Sequence, residues 1–157
     1  MGGGATSVLF VCLGNICRRP MAHGMLRARV AALGRAASFV VDSCGTAAYH
    51  VGADMDPGTA RVLRERDAWY RHVARQLTQA DLTRFDHVLV MDRSNLATIQ
   101  QRHPRHGGRA RLVTEPVGGQ DVPDPWGGGP ADFRRVWDVL EPALEAWLHA
   151  WHAQNTR

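Results

Sequence analysis

Val8-Leu-Phe-Val-Cys-Leu-Gly-Asn-Ile-Cys-Arg-Arg-Pro20 decides how this 157-residue chain is read. Ser7 to Val11 is a short apolar run of the kind that fills a strand covered on both faces. The run stops at Cys12, and Pro20 opens a helical pattern, where its missing N–H is no loss. A loop between a strand end and a helix start turns several backbone N–H groups toward one point, which makes an anion-binding nest. Leu13, Gly14, Asn15, Ile16 and Cys17 form that loop. Gly14 lets the backbone approach closely, and Asn15 tolerates the left-handed conformation. A thiol at the mouth of the nest is poised as a thiolate nucleophile, and Arg18 offers a planar fork that fits two phosphate oxygens. Nucleophile, cradle and clamp together predict a covalent phosphatase. The plainer alternative is a buried structural cysteine at a strand end.

Outward from this stretch, Met21, Met25, Leu26, Val30 and Leu33 recur at helical spacing up to Gly34, a C-cap residue. Ser38 to Val41 reads as the second strand, followed by a glycine-rich loop from Asp42 to Pro57. Short helices are expected over Thr59–Arg66 and Leu77–Leu82. Asp86 to Met91 is the third strand, Ser94 to Arg102 a helix, and Arg109 to Val113 the fourth strand. Glu115 to Pro130 is a loop dense in Gly and Pro, unusually long for a compact domain unless it has a function. Phe133, Val136, Trp137, Leu140, Leu144, Trp147, Leu148 and Trp151 form a helical stripe that reads as core packing, with Pro142 expected to kink or split it. Alternating strands and helices predict an α/β fold: one doubly wound domain over residues 1–157, with a four-stranded parallel sheet and helices on both faces. Residues 1–6 read as a flexible lead. Ligands in such folds sit at the carboxyl ends of strands, where Cys12 and the starts of the Ser43, Asp92 and Glu115 loops converge.

Composition narrows the function class. No run approaches a membrane span, and no charged-then-apolar start marks a signal peptide, so a cytoplasmic protein is expected. Three cysteines argue against a disulfide framework. All nineteen basic side chains are Arg and the formal net charge is +4. The arginines are scattered and no nucleic-acid motif accompanies them, so a surface attractive to anionic phosphorylated partners is expected instead. Met1-Gly-Gly-Gly-Ala-Thr6 fits a myristoylation pattern but reads better as the glycine lead.

Val11-Cys-Leu-Gly-Asn-Ile-Cys-Arg18, with Pro20-Met-Ala22, resembles the phosphate loop of the low-molecular-weight protein tyrosine phosphatases. The resemblance continues in Asp42-Ser43, Gly45-Thr46, His50 and Gly52, Arg75-Gln76-Leu77, Met91-Asp-Arg-Ser-Asn95 and Asp121-Val-Pro-Asp124-Pro125, in order along nearly the whole chain. It implies a phosphotyrosine phosphatase working through a cysteinyl-phosphate, with Cys12 as nucleophile, Arg18 as clamp and Asp124 as general acid and base. The residue types alone do not separate Asp124 from Asp121, and an ordinary Asp-Pro turn is the plainer reading of Asp124. The resemblance further implies that Asn15, Ser43 and His72 hydrogen-bond together to brace the loop, that Asp92 supports it, and that Cys17 pairs reversibly with an oxidised Cys12. Tyr49, where the family usually has Trp, and Trp126 are expected to flank a phenyl ring. Ile16 argues modestly against the phosphoarginine phosphatases, whose residue here is typically Thr. Implied partners are tyrosine-phosphorylated proteins, with inorganic phosphate or vanadate as site ligands and neither metal nor cofactor. A monomer or weak dimer is expected.

Besides Tyr49, other positions depart from the family pattern. Arg19 stands where the family has a Ser or Thr that donates to the thiolate and caps the helix, and a cation is poorly placed there. His23 replaces a usual Glu. Trp126-Gly127 replaces an aromatic pair, removing a tyrosine through which relatives can be phosphorylated. Two competing readings follow: a thiol-dependent arsenate reductase, for which only Cys17 and Cys44 remain as relay cysteines, and a weakly active phosphoprotein-binding module, made plausible by Arg19.

Overall fold

The computed structural model describes residues 4–12, 18–47 and 51–155, with main chain only for Arg19 and residues 153–155. Four strands, β1 (Thr6–Cys12), β2 (Phe39–Gly45), β3 (His87–Val90) and β4 (Ala110–Leu112), form one sheet in the order β2-β1-β3-β4. Every pairing is parallel. Five helices connect and cover them: α1 (Arg18–Ala32), α2 (Pro57–Glu65), α3 (Gln79–Arg84), α4 (Arg93–Arg102) and α5 (Pro130–Asn155).

The alternation of side chains along β1 explains why both faces need helices. Val8, Phe10 and Cys12 enter one core with Met21 and Leu26 of α1, Leu63 of α2 and Trp137 and Leu140 of α5. Leu9 and Val11 enter a second, smaller core with Leu82 and Ile99 of α3 and α4. β1 lies between β2 and β3, so chain order reverses beside it, and Cys12 stands at the carboxyl edge of that crossover point, where doubly wound folds bind ligands.

Most sequence expectations hold within a residue or two. Gly34, at φ 71°, closes α1: its N–H donates to Ala31 and that of Arg35 to Val30, the paired pattern of a left-handed C-cap. Four differences matter. β2 runs on to Gly45, because Asp42 and Ser43, read from sequence as loop, spend their polar groups on partners described below. α1 starts at Arg18, so Arg19 lies within its first turn and not at the cap; Pro20 is still among the N–H positions that need no helical acceptor. β1 takes in Thr6, the last residue of the expected lead. Pro142 does not split α5, which continues through it. Trp137 and Trp151 are buried, and Trp147 Nε1 donates to the Val113 carbonyl at 2.7 Å, so the stripe is core packing.

Candidate active site

The loops leaving the carboxyl edge are knitted together by main chain. Thr46 N donates to Cys12 O at 2.8 Å, Met91 N to Val11 O at 3.2 Å and Val122 N to Met91 O at 2.9 Å. The Gly- and Pro-rich loop is therefore pinned at Val122, two residues before Asp124.

Arg18 sits where these connections meet. It is 4% exposed, and its Nη1 donates both to Asp92 Oδ2 at 2.6 Å and to the Val122 carbonyl at 2.9 Å. Nε and Nη2 have no hydrogen-bond partner among the described residues. Asp92 uses its other oxygen to cap α4, accepting from Asn95 N at 2.8 Å. Burial alone would lower the Arg18 pKa. The negative charges of Cys12, Asp92 and Asp124, with the Asp92 hydrogen bond, raise it instead. The guanidinium therefore stays charged although buried.

The two candidate acids are occupied differently. Asp121 accepts from Arg93 N at 3.0 Å and from Arg93 Nη1 at 3.2 Å. Asp124 is exposed; among the described residues its Oδ1 accepts a local turn bond from Trp126 N at 3.1 Å, while its charge acts on Arg18. Trp126 is 66% exposed.

Behind Cys12, Ser43 is buried and its Oγ lies 2.9 Å from His23 Nδ1. The His23 ring packs 4.4 Å from Tyr70 and meets buried His72 edge-on at 6.5 Å. Tyr70 Oη donates to the Pro20 carbonyl at 3.0 Å and stands 3.3 Å from His72 Nδ1. Burial first, then the neighbouring His72 and Arg27, push the His23 pKa down to about 3. The cluster thus has a neutral imidazole where the sequence showed only an unusual residue.

Leu13, Gly14, Asn15, Ile16, Cys17 and Tyr49 lie outside the described residues, as does the side chain of Arg19. The site frame includes an element to which sequence reading gave no role. Arg75 grips Asp81 with two bonds, of 2.9 and 3.1 Å, and Asp42 with two more, of 3.2 and 3.0 Å. Burial alone would lower the Arg75 pKa, but these carboxylates and nearby Cys44 raise it. Burial alone would raise the Asp81 pKa, but Arg75 and the hydrogen bonds from Thr78 together hold that carboxyl below its ordinary value. Arg75 thereby ties β2 to the start of α3. The legible signal was Thr78-x-x-Asp81, a capping pattern in which Thr78 N donates to Asp81 at 2.8 Å.

A parallel sheet with its candidate site at the crossover point defines a doubly wound α/β protein. Residues 7–157 match the family model described as low molecular weight phosphotyrosine protein phosphatase, and the chain belongs to that family of phosphoric monoester hydrolases. A relative of that name from Schizosaccharomyces pombe is 43% identical over 132 residues, covering 80% of this chain and 84% of the relative. The low molecular weight protein-tyrosine-phosphatase of Streptomyces coelicolor is 37% identical over 150 residues, 91% and 92% of the two chains. The crystal structure of a protein tyrosine phosphatase from Entamoeba histolytica, with Hepes in the active site, superposes with a TM-score of 0.90 at 29% identity, over 96% of this chain and 99% of that one.

Proposed function

We propose that this protein hydrolyses phosphotyrosine and aryl phosphates through a cysteinyl-phosphate. One observation carries the reading: Arg18 is buried at the carboxyl edge, held among the described residues through Nη1, and its charge is coupled to both Cys12 and Asp124. Nε and Nη2 then serve two oxygens of a phosphoryl group, a fork geometry that point charges do not reproduce.

In the first step Cys12 Sγ attacks phosphorus in line, the P–O bond to the phenol breaks, and Asp124 gives its proton to the leaving oxygen. In the second, Asp124 takes a proton from water as that water attacks phosphorus. The S–P bond breaks and phosphate departs, restoring the thiolate. Arg18 and the N–H groups of Leu13 to Cys17 hold the equatorial oxygens, where charge accumulates. Asn15, Ser43 and His72 brace the loop, Asp92 orients Arg18, Tyr49 and Trp126 flank the phenyl ring, and Cys17 is the redox partner of Cys12. The scheme calls for neither metal nor cofactor, in a cytoplasmic monomer or weak dimer.

Hydrolysis of p-nitrophenyl phosphate near pH 6 tests this. The parent is expected to turn over, Cys12→Ser to be inactive and Asp124→Ala to be slowed by about 10²-fold or more. Vanadate or phosphopeptide binding by a parent without turnover would overturn it in favour of a phosphate-recognition module. Arsenate reduction coupled to thiols without phosphate release would favour the reductase.

A further inference from the structure

Residues 68–74 alternate strictly in burial although they make no ladder of their own. Ala68, Tyr70, His72 and Ala74 face inward, while Trp69, Arg71 and Val73 face solvent. Each of three inward contacts joins the site frame: Tyr70 to the first turn of α1, His72 to the His23–Ser43 pair, and Ala74 to the chain just after Tyr49. That last link is a pair of 2.8 Å bonds, Gly52 N to Ala74 O and Ala74 N to Ala53 O. The outward face is thus the back of a segment that the site itself holds extended.

That face is both apolar and cationic. Trp69, Val73 and Val51 are 45%, 59% and 57% exposed, and the Arg64 guanidinium lies 5.1 Å above the Trp69 ring. Arg64 and Arg71 have no carboxylate partner among the described residues, and no Asp or Glu occurs between Asp67 and Asp81. Arg75, further along, is neutralised by Asp42 and Asp81. Trp69 to Val73 spans about 14 Å, the length of a four- or five-residue extended peptide. A ring and a valine for packing, with unpaired guanidinium groups between and beside them, complement an extended acidic chain.

We infer that this strip, Arg64–Trp69–Arg71–Val73, docks an acidic segment of the substrate flanking its phosphotyrosine. The inference rests on the phosphatase reading above. A phosphotyrosyl peptide with Glu and Asp on both sides, its Gln and Asn counterpart, and p-nitrophenyl phosphate are compared on the parent, Arg71→Glu and Trp69→Ala. The parent should favour the acidic peptide in kcat/KM. Arg71→Glu should cost roughly three- to ten-fold on it, an effect that added salt shrinks, while p-nitrophenyl phosphate stays within about two-fold. Equal kcat/KM for the two peptides on the parent, or equal losses on peptide and p-nitrophenyl phosphate, would overturn the inference. Binding of the same labelled peptides to Cys12→Ser reads docking without turnover. An inactive parent whose Cys12→Ser form still prefers the acidic peptide would refute the phosphatase reading and uphold the strip.

Discussion

Asp92 divides one carboxylate between a helix cap and a buried arginine, and the two duties can be separated. Asp92→Asn keeps an acceptor for Asn95 N but gives up the charge opposite Arg18. It should lower kcat on p-nitrophenyl phosphate by about ten-fold or more, with a small change in Tm. Asp92→Ala removes both, and should add a loss of roughly 1 kcal/mol for the cap to the cost of an unpaired buried cation, read by denaturant unfolding. His23 sets a second residue-scale expectation. Its pKa is about 3 in the fold and near 6.5 when unfolded, so between those values only the unfolded chain takes up the proton. Stability is therefore unaffected above about pH 6.5 and falls as the pH drops below it, by up to about 1.4 kcal/mol per pH unit. His23→Gln should flatten the dependence of Tm on pH between about 6.5 and 4; an unchanged slope would show that another group is responsible. At this scale sequence reading reaches what is contiguous, such as the stretch from Cys12 to Arg18. Arg75 and Asp42 are 33 positions apart, and Arg18 and the Val122 carbonyl 104, so only the fold brings them together.

Strands and helices were legible in their order because period-2 and period-3.6 patterns are strong here, and boundaries slipped where a polar residue had a private partner. Asp42 and Ser43 are the clearest case: they look like loop residues until Arg75 and His23 are seen to satisfy them. Packing between elements was not legible. Gly24 in α1 looks like a weak helix residue, yet a Cβ there would lie 2.8 Å from the Ala68 carbonyl and 3.0 Å from Leu63 and Tyr70. Helix propensity alone favours Ala over Gly by about 1 kcal/mol in a helix interior. Gly24→Ala should nevertheless destabilise, by about 1–3 kcal/mol, because a backbone carbonyl cannot step aside. A raised Tm would mean that the α1–Ala68 contact relaxes freely.

The molecule as a whole is asymmetric about its sheet. α1, α2 and α5 share the larger core, whereas α3 and α4 cover the smaller one. Hydrogen exchange should therefore find the amides of α3 opening well before those of α1 and α5, with β1 the slowest to exchange. Exchange as slow in α3 as in β1 would show instead that the two faces open together. β1 also constrains how this chain can change over generations. Its residues serve the two layers by turns, so substitutions along it exchange one apolar shape for another and are absorbed locally. Loss or gain of a single codon between Thr6 and Val11 would instead turn the strand's side chains on one side of the change to the opposite layer. Point replacement is open to this strand; length variation is closed to it.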